Sequence, residues 1–237
     1  TMTFVSGGGF LPLDNLNDIV STNFQKISII ISLTFSMLNF YLLFNIFTKK
    51  NFIKNHKEDL YLLSITLIFV ILIYFNNLDL FDIIISVISS LANSGITLIK
   101  SDYNLSLYFL LITMIGGSLI SNTSGIKLSR FYILLKTTSA EVIKLISPNS
   151  VINKTIFSSE IKINDESIKI SFLIFISFFL SLFILSSFLV LDNLEFESSF
   201  KLAILALTNT VNSEMYGLQN INFNNLLSSS KISLIIF

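Results

Sequence analysis

The sequence predicts an all-α integral membrane protein in which membrane-spanning helices alternate with shorter helices that enter the membrane and turn back. Three observations lead to this fold class. The mean hydropathy is +0.77 and charged residues make up 13% of the chain, against roughly 25% in soluble domains. Two charge-free apolar runs, residues 27–47 and 170–191, reach the roughly 20 residues that a helix needs to cross a bilayer. Two shorter apolar runs end in polar breaks, which is typical of re-entrant helices.

The first half of the chain contains two predicted spans and one re-entrant helix. Residues 27–47 form the first span and lead into a lysine-rich loop at 48–59. A second apolar run at 60–75 is slightly short for a span and is followed by acidic residues. The apolar run at 83–91 is too short to cross a bilayer and breaks at the letters NSGIT. We therefore predict a helix that enters the membrane and turns back.

The second half of the chain repeats this order. A long apolar helix at 105–136 is interrupted by the letters MIGGSLISNTSGIK, and the polar segment that follows it contains alternating IKI patches that predict a short hairpin outside the membrane. Then come the span at 170–191, an acidic turn, a short apolar helix at 200–207 and a polar break. The chain begins at Thr1 and ends inside a last apolar run, so we expect it to be a piece of a longer protein.

The interruption at residues 114–127 is informative because it cannot face lipid. An interrupted backbone leaves N–H and C=O groups unpaired, at a cost of about several kcal/mol each in hydrocarbon. The segment must therefore be enclosed by protein or face water at membrane depth. The alternative interpretation is a kink at Gly116 and Gly117 that serves only close helix packing.

The charges of the loops predict the orientation. Segments 48–59 and 127–169 together hold eleven Lys or Arg against six Asp or Glu. The other polar segments, on the opposite side, hold three Lys against nine Asp or Glu. The positive-inside rule therefore makes 48–59 and 127–169 cytoplasmic and puts the re-entrant helices on the outer face.

The order of these elements predicts membrane-pore-membrane repeats. Short half-helices direct their partial charges at a central site, and the unwound backbone after each one can offer carbonyl oxygens to a dehydrated cation. We divide the chain into the end of one repeat at 1–47, a cytoplasmic loop at 48–59 and a complete repeat with a broken second helix at 60–137. A second cytoplasmic loop at 138–169 and a further repeat at 170–237 complete the division.

The letters MIGGSLISNTSGIKLSR resemble the broken helix of the TrkH/KtrB family of bacterial potassium uptake proteins. The resemblance implies a protein of four repeats around a pseudo-fourfold pore, of which this chain covers the part from the second filter to the start of the last helix. It also implies a gating loop below the filter. The residues that the resemblance assigns to this loop are Gly116, Gly117, Ser118, Ser121, Asn122, Thr123, Ser124, Gly125, Lys127 and Arg130.

The same resemblance implies an ion filter. The letters SGGGF are similar to the family's second filter and SLANSGIT to its third. The fourth filter departs from the family, because Val211 stands where the family has glycine, and a β-branched residue does not easily adopt the glycine conformation. Glu214 adds a charge that the motif does not predict. Potassium is expected at the backbone carbonyls of Gly8, Gly9, Asn93, Ser94, Gly95, Asn209, Thr210 and Val211.

The resemblance also implies the partners and the location. We expect a homodimer in the lipid bilayer of the bacterial inner membrane, crossed several times by the chain, and a cytoplasmic nucleotide-binding regulatory subunit. The lysines of the first loop either form a docking surface for that subunit or act only as a topology signal; they are Lys49, Lys50, Lys54 and Lys57. No cofactor is expected, since potassium is the transported species.

Two other classes of function compete with transport. A non-conducting membrane scaffold or sensor, with a decayed fourth filter, stays open as the alternative to a transporter. An enzyme is disfavoured, because the chain has no cysteine, a single histidine at His56 and no acid pair within a span. The absence of cysteine also excludes disulfides and thiolate metal sites. No basic tract suggests binding to nucleic acid.

Overall fold

The computed structural model describes residues 7, 20, 22–48, 57–76, 78–99, 103–148, 155–158, 162–192, 194–218 and 226–236. Within these residues the chain is all-helical and contains no strand, which confirms the predicted fold class. The α-helices are α1 (Asn23–Met37), α2 (Phe40–Thr48), α3 (Lys57–Tyr74), α4 (Leu80–Leu91), α5 (Tyr103–Ile115), α6 (Leu128–Ile146), α7 (Asp165–Val190), α8 (Phe196–Leu207) and α9 (Ser228–Ile236), with 3-10 turns at Ile156–Ser158 and Glu214–Tyr216.

The longest helix of the described residues is α7, with 26 residues. At 1.5 Å per residue it is about 39 Å long, enough to cross a bilayer core of about 30 Å. It is the one described helix that is long and apolar enough to do so by itself. Helix α3 has 18 residues but begins with three charged ones, which are Lys57, Glu58 and Asp59.

The span predicted at 27–47 is broken in the structure. Helix α1 begins with a capping box in which Thr22 and Gln25 exchange side-chain hydrogen bonds with each other's backbone N–H. It ends at Met37, and α2 leaves at an angle of 110°. Asn39 lies in the break, where its Oδ1 accepts a hydrogen bond from Tyr41 N at 2.9 Å and so caps α2. The prediction of one continuous helix is therefore wrong here.

The two short helices, α4 and α8, have 12 residues each. Each is about 18 Å long and cannot cross a bilayer. From Ile83 to its end α4 is almost entirely buried, including Ser86, Ser89 and Ser90. A helix that is buried on all sides needs protein on all sides. Helix α4 packs against α1, α3 and α5, whereas α8 packs against α7 and α5.

The outer faces of the long helices are apolar and exposed. On α7, Phe172, Leu173 and Phe183 are each more than half exposed. Large apolar side chains repeated along one face of a span are suited to contact with lipid tails rather than water.

The polar segment after α6 is described in part, at residues 155–158 and 162–164. Helix α6 extends to Ile146, beyond the boundary predicted at 137. Within the described residues one antiparallel bridge joins Thr155 and Lys162, and the rest of the predicted hairpin lies outside the described residues. This turn is held against α3 and α6 by Phe157, whose ring lies 5.2 Å from that of Tyr61 and 4.4 Å from that of Tyr132.

Candidate functional site

The site is built at the carboxyl ends of the two short helices, which finish in the same way. Each residue of α8 is numbered 116 higher than its counterpart in α4. After α4, the N–H groups of Ala92, Asn93 and Ser94 donate to carbonyls four, three and five residues earlier. After α8, the N–H groups of residues 208–210 repeat this pattern at the same three spacings. Both helices therefore unwind through the same backbone path.

Each of these turns contains an asparagine in the left-handed backbone conformation. Asn93 has φ +55° and Asn209 has φ +48°, so both lie in the left-handed region, which asparagine adopts more readily than most residues. Asn93 is buried, and its Nδ2 donates to Thr113 O at 2.9 Å and to Thr210 Oγ1 at 3.4 Å. Its side chain thereby joins the two turns to helix α5.

The two turns meet at Gly95 and Val211. Gly95 has φ +72°, and a Cβ atom there would lie 2.9 Å from Val211 C and 3.0 Å from Val211 N. No larger residue fits without moving the backbone of the neighbouring turn. Val211 has the position in its turn that Gly95 has in the other, but it does not share the positive φ. The difference in residue type between Gly95 and Val211 thus coincides with a difference in backbone conformation.

The turn after α4 is held from within by serine hydroxyls. Ser89 Oγ lies 2.8 Å from Ser94 Oγ and accepts a hydrogen bond from Ile96 N at 2.6 Å. Ser86 Oγ lies 2.8 Å from Thr97 Oγ1. These hydroxyls satisfy buried polar groups where the helix has ended, which keeps the turn in one conformation.

The predicted second-filter residues Gly8 and Gly9 lie outside the described residues. Their neighbour Gly7, which was not predicted as a site residue, is described. A Cβ atom at Gly7 would lie 3.3 Å from Ala92 O and 3.9 Å from Asn122 O. Gly7 therefore lies close to both the turn after α4 and the interruption between α5 and α6.

The predicted gating loop is the non-helical stretch between α5 and α6. Gly116 and Gly125 have positive φ. Gly117 is needed for a close approach instead, since a Cβ atom there would lie 2.6 Å from Met37 O and 2.8 Å from Thr123 Oγ1. We call residues 116–127 the loop from here on. Arg130, also predicted for this site, lies in the first turn of α6.

Lys127 ties the loop to itself. Its Nζ lies within hydrogen-bond distance of the carbonyl and hydroxyl oxygens of both Ser121 and Thr123, at 3.3 Å and 3.2 Å to the former and at 3.0 Å to Thr123 Oγ1. Thr123 Oγ1 also accepts from Gly117 N at 2.9 Å. The loop is therefore closed on itself by side chains where the helix ladder is missing.

The loop lies directly against both turns. Ser124 Oγ donates to the carbonyl oxygen of Thr208, the last residue before the turn that follows α8. A Cβ atom at Gly116 would lie 3.7 Å from Asn93 Oδ1. The structure thus brings together the predicted third-filter, fourth-filter and loop residues in one cluster.

The loop also pairs with the break between α1 and α2, which sequence reasoning missed. Ser118 N donates to Met37 O at 3.0 Å, and Phe40 N donates to Ile120 O at 2.9 Å. The sequence contains little that predicts this break, because residues 27–47 include no glycine or proline. Asn39 is the one residue there that favours it.

Ion pairs hold the first turns of the short helices. Lys26 Nζ of α1 lies 2.6 Å from Asp82 Oδ1 of α4. Lys201 is buried in α8 and reaches the exposed Glu197 at 2.6 Å. Within the described residues, no group of three or more His, Cys, Asp or Glu side chains is arranged to hold a metal ion.

Comparisons with known proteins agree with this architecture. No protein-family model matches the chain. The chain is 29% identical over 190 residues to the uncharacterized cation transporter MJ1485 of Methanocaldococcus jannaschii, an alignment that covers 78% of this chain and 39% of the relative. Its structure is similar to the crystal structure of the potassium transporter TrkH from Vibrio parahaemolyticus, with a TM-score of 0.84 and 16% identity, covering 99% of this chain and 53% of that chain.

The chain therefore has the fold of TrkH, a membrane transporter, and is a membrane protein. It spans about half the length of that solved structure and about two fifths of the curated relative.

Proposed function

We propose that the protein takes up monovalent cations, potassium above all, through a filter of backbone carbonyls that is gated by the loop. The observation that carries the proposal is the convergence of two unwound helix ends, at Gly95 and Val211, in contact with a broken helix. The proteins with similar fold and sequence are named a potassium transporter and a cation transporter, which supports the same activity.

The chemistry of the two turns suits a dehydrated cation. Helices α4 and α8 point their carboxyl ends, which carry partial negative charge, toward the turns. An unwound backbone after each helix can replace the water around a monovalent ion with carbonyl oxygens. We infer that residues 93–95 and 209–211 each contribute one side of the filter. Gly8 and Gly9 would contribute a third.

The loop suits the role of a gate. The twelve residues of the loop are non-helical and are held largely by side-chain hydrogen bonds, and such a segment can open at lower cost than a helix. Ser124 and Gly116 bring it against the inner ends of the two turns. In the closed state the loop would block the path of an ion that has passed the filter.

The remaining parts of the proposal rest on the resemblance of the sequence to the TrkH/KtrB family. The protein would act as a multi-pass homodimer in the bacterial inner membrane, with a cytoplasmic nucleotide-binding subunit that biases the loop. Its lysine-rich segment at 48–59 would lie on the side of that subunit. We propose a transporter without catalytic activity and without a bound cofactor.

The test is rubidium and sodium uptake in bacteria that lack their own potassium uptake systems, with the full-length protein. Gly95→Asp puts a side chain into the backbone around Val211 and should abolish uptake at unchanged expression. Gly217→Asp is the matched control, because Gly217 also has a positive φ but follows the turn at Glu214–Tyr216. Uptake that survives Gly95→Asp would refute a filter at this position.

A non-conducting scaffold or sensor is the second candidate, and the backbone at Val211 favours it. A filter position that lacks the left-handed conformation of Gly95 presents its carbonyl differently. Val211→Gly separates the two functions. A transporter should change its rubidium-to-sodium preference in this variant. A non-conducting protein should show no uptake as wild type and should gain uptake in the Val211→Gly variant.

A further inference from the structure

Two adjacent carboxylates at the start of α3 have no role in the mechanism above. Glu58 Oε1 accepts a hydrogen bond from Leu119 N of the loop at 2.9 Å. Asp59 Oδ1 accepts one from Asn39 N, in the break between α1 and α2, also at 2.9 Å. One turn of one helix therefore binds the backbone of two different helix interruptions.

These two interruptions are also bound to each other. The N–H groups of Ser118 and Phe40 donate across the contact, to Met37 O and Ile120 O respectively. The loop, the break and the start of α3 thus form one hydrogen-bonded unit, in which the acceptors from α3 are the charged ones. Hydrogen bonds to an ionised acceptor are shorter and stronger than those between neutral groups.

Asp59 is buried, which is energetically costly for a carboxylate. Its exposed fraction is 1%, and a carboxylate is rarely buried to this extent unless hydrogen bonds or positive charge offset its lost hydration. Asn39 N is such a partner, and it is available only because α1 ends before Asn39. The break in the helix therefore supplies a hydrogen-bond donor for the buried carboxyl group of Asp59.

We propose that Glu58 and Asp59 are positioning residues that clamp the loop to the α1–α2 break and so hold the gate closed. The role of the loop as a gate rests on the proposed function. The clamp itself does not, because it concerns only which backbone N–H groups are protected from hydrogen exchange. Opening of the loop would require Leu119 N and the two cross-contacts to be released together. The break would then loosen with the loop.

Backbone amide hydrogen exchange of the full-length protein in lipid nanodiscs tests the clamp without any transport. Glu58→Ala removes the acceptor of Leu119, and Asp59→Asn removes the buried charge. Asp165 and Glu166 provide matched controls, because they form an exposed acidic pair in the first turn of α7. We expect Glu58→Ala and Asp59→Asn each to speed exchange at least tenfold in peptides covering 37–42 and 117–124. Glu166→Ala and Asp165→Asn should leave both peptides unchanged.

The outcomes separate the clamp from the transport function. Faster exchange in both peptides supports the clamp, whether or not the protein moves ions. Unchanged exchange, or faster exchange in one peptide only, overturns it, even if Gly95→Asp abolishes uptake and the proposed function stands. If Asp59→Asn fails to fold, Glu58→Ala alone decides, because Glu58 is half-buried at the edge of the unit. Where uptake is measurable, Glu58→Ala should also raise it several-fold, which a merely structural role would not do.

Discussion

Lys127→Met is the most direct test of whether side chains hold the loop closed. The Lys127 ammonium lies within hydrogen-bond distance of two oxygens on Ser121 and two on Thr123. It has three protons to donate, so no more than three of these bonds form at once. Methionine has nearly the same length but donates none of them.

The expected effect follows from the value of such bonds. One hydrogen bond to a charged group contributes about 1.5–3 kcal/mol net. In the open loop these oxygens form hydrogen bonds to water instead. We therefore assign all the hydrogen bonds of Lys127 together the net free energy of one such bond rather than of three. A loss of about 1.5–3 kcal/mol of closed-state stability raises a rare open population roughly 10- to 100-fold, at about 1.4 kcal/mol per factor of ten.

The assay is rubidium uptake at matched expression, with Lys144→Met as control. Lys144 lies in the last turn of α6, the helix that follows Lys127, but it is exposed and pairs only weakly with Glu141, at 3.6 Å. Uptake should rise in Lys127→Met and stay unchanged in Lys144→Met. Removal of a positive charge near the path could raise flux by itself, so Thr123→Val is needed as well. It keeps the charge and removes the hydroxyl that Lys127 binds, and it too should raise uptake. A rise in Lys127→Met alone would refute the reasoning.

Three further predictions concern the turns and the helix starts. Gly95→Ala should destabilise the protein by at least about 1–2 kcal/mol, the cost of a left-handed residue, and a lower melting temperature in detergent would show it. Ser124→Ala removes the donor to the Thr208 carbonyl, so uptake should change by several-fold while the melting temperature stays nearly constant. Asp82→Asn leaves the Lys26 ammonium without its carboxylate, and since both side chains are only 19% exposed, the cost should exceed the roughly 1 kcal/mol of a solvent-exposed pair. Its melting temperature in detergent should therefore fall, with little dependence on salt because a partly buried pair is weakly screened.

The short helices were largely predictable from the sequence. Their apolar runs at 83–91 and 200–207 are too short for a bilayer, and hydropathy finds them. The structure begins both helices three to four residues earlier, at Leu80 and Phe196, because the first turns carry Asp82 and Glu197. Charges there suit a helix amino terminus and yet lower the hydropathy on which the prediction depends.

The break at Leu38 and Asn39 could not be predicted in the same way. An uninterrupted apolar run predicts one helix, and what ends this one is pairing with distant backbone groups at Ser118 and Ile120. The acceptor Asp59 is twenty residues away in sequence from its donor. The convergence of Gly95 and Val211 has the same origin, since spacing within one chain does not indicate which turns meet in space. The sequence motifs predicted the positions of the loop and the turns along the chain. The contacts between the loop and the turns are visible only in the fold.

The length and burial of α4 have a consequence for how the protein is made. With 12 residues, including three serines that are buried in the finished fold, this segment is too short to be released into the bilayer as a helix of its own during synthesis. Its enclosing partner α5 is synthesised only afterwards. The ribosome-bound chain must therefore keep α4 at the membrane surface or inside the insertion channel until α5 emerges. Insertion of this region is then a cooperative step of several segments rather than a series of independent ones.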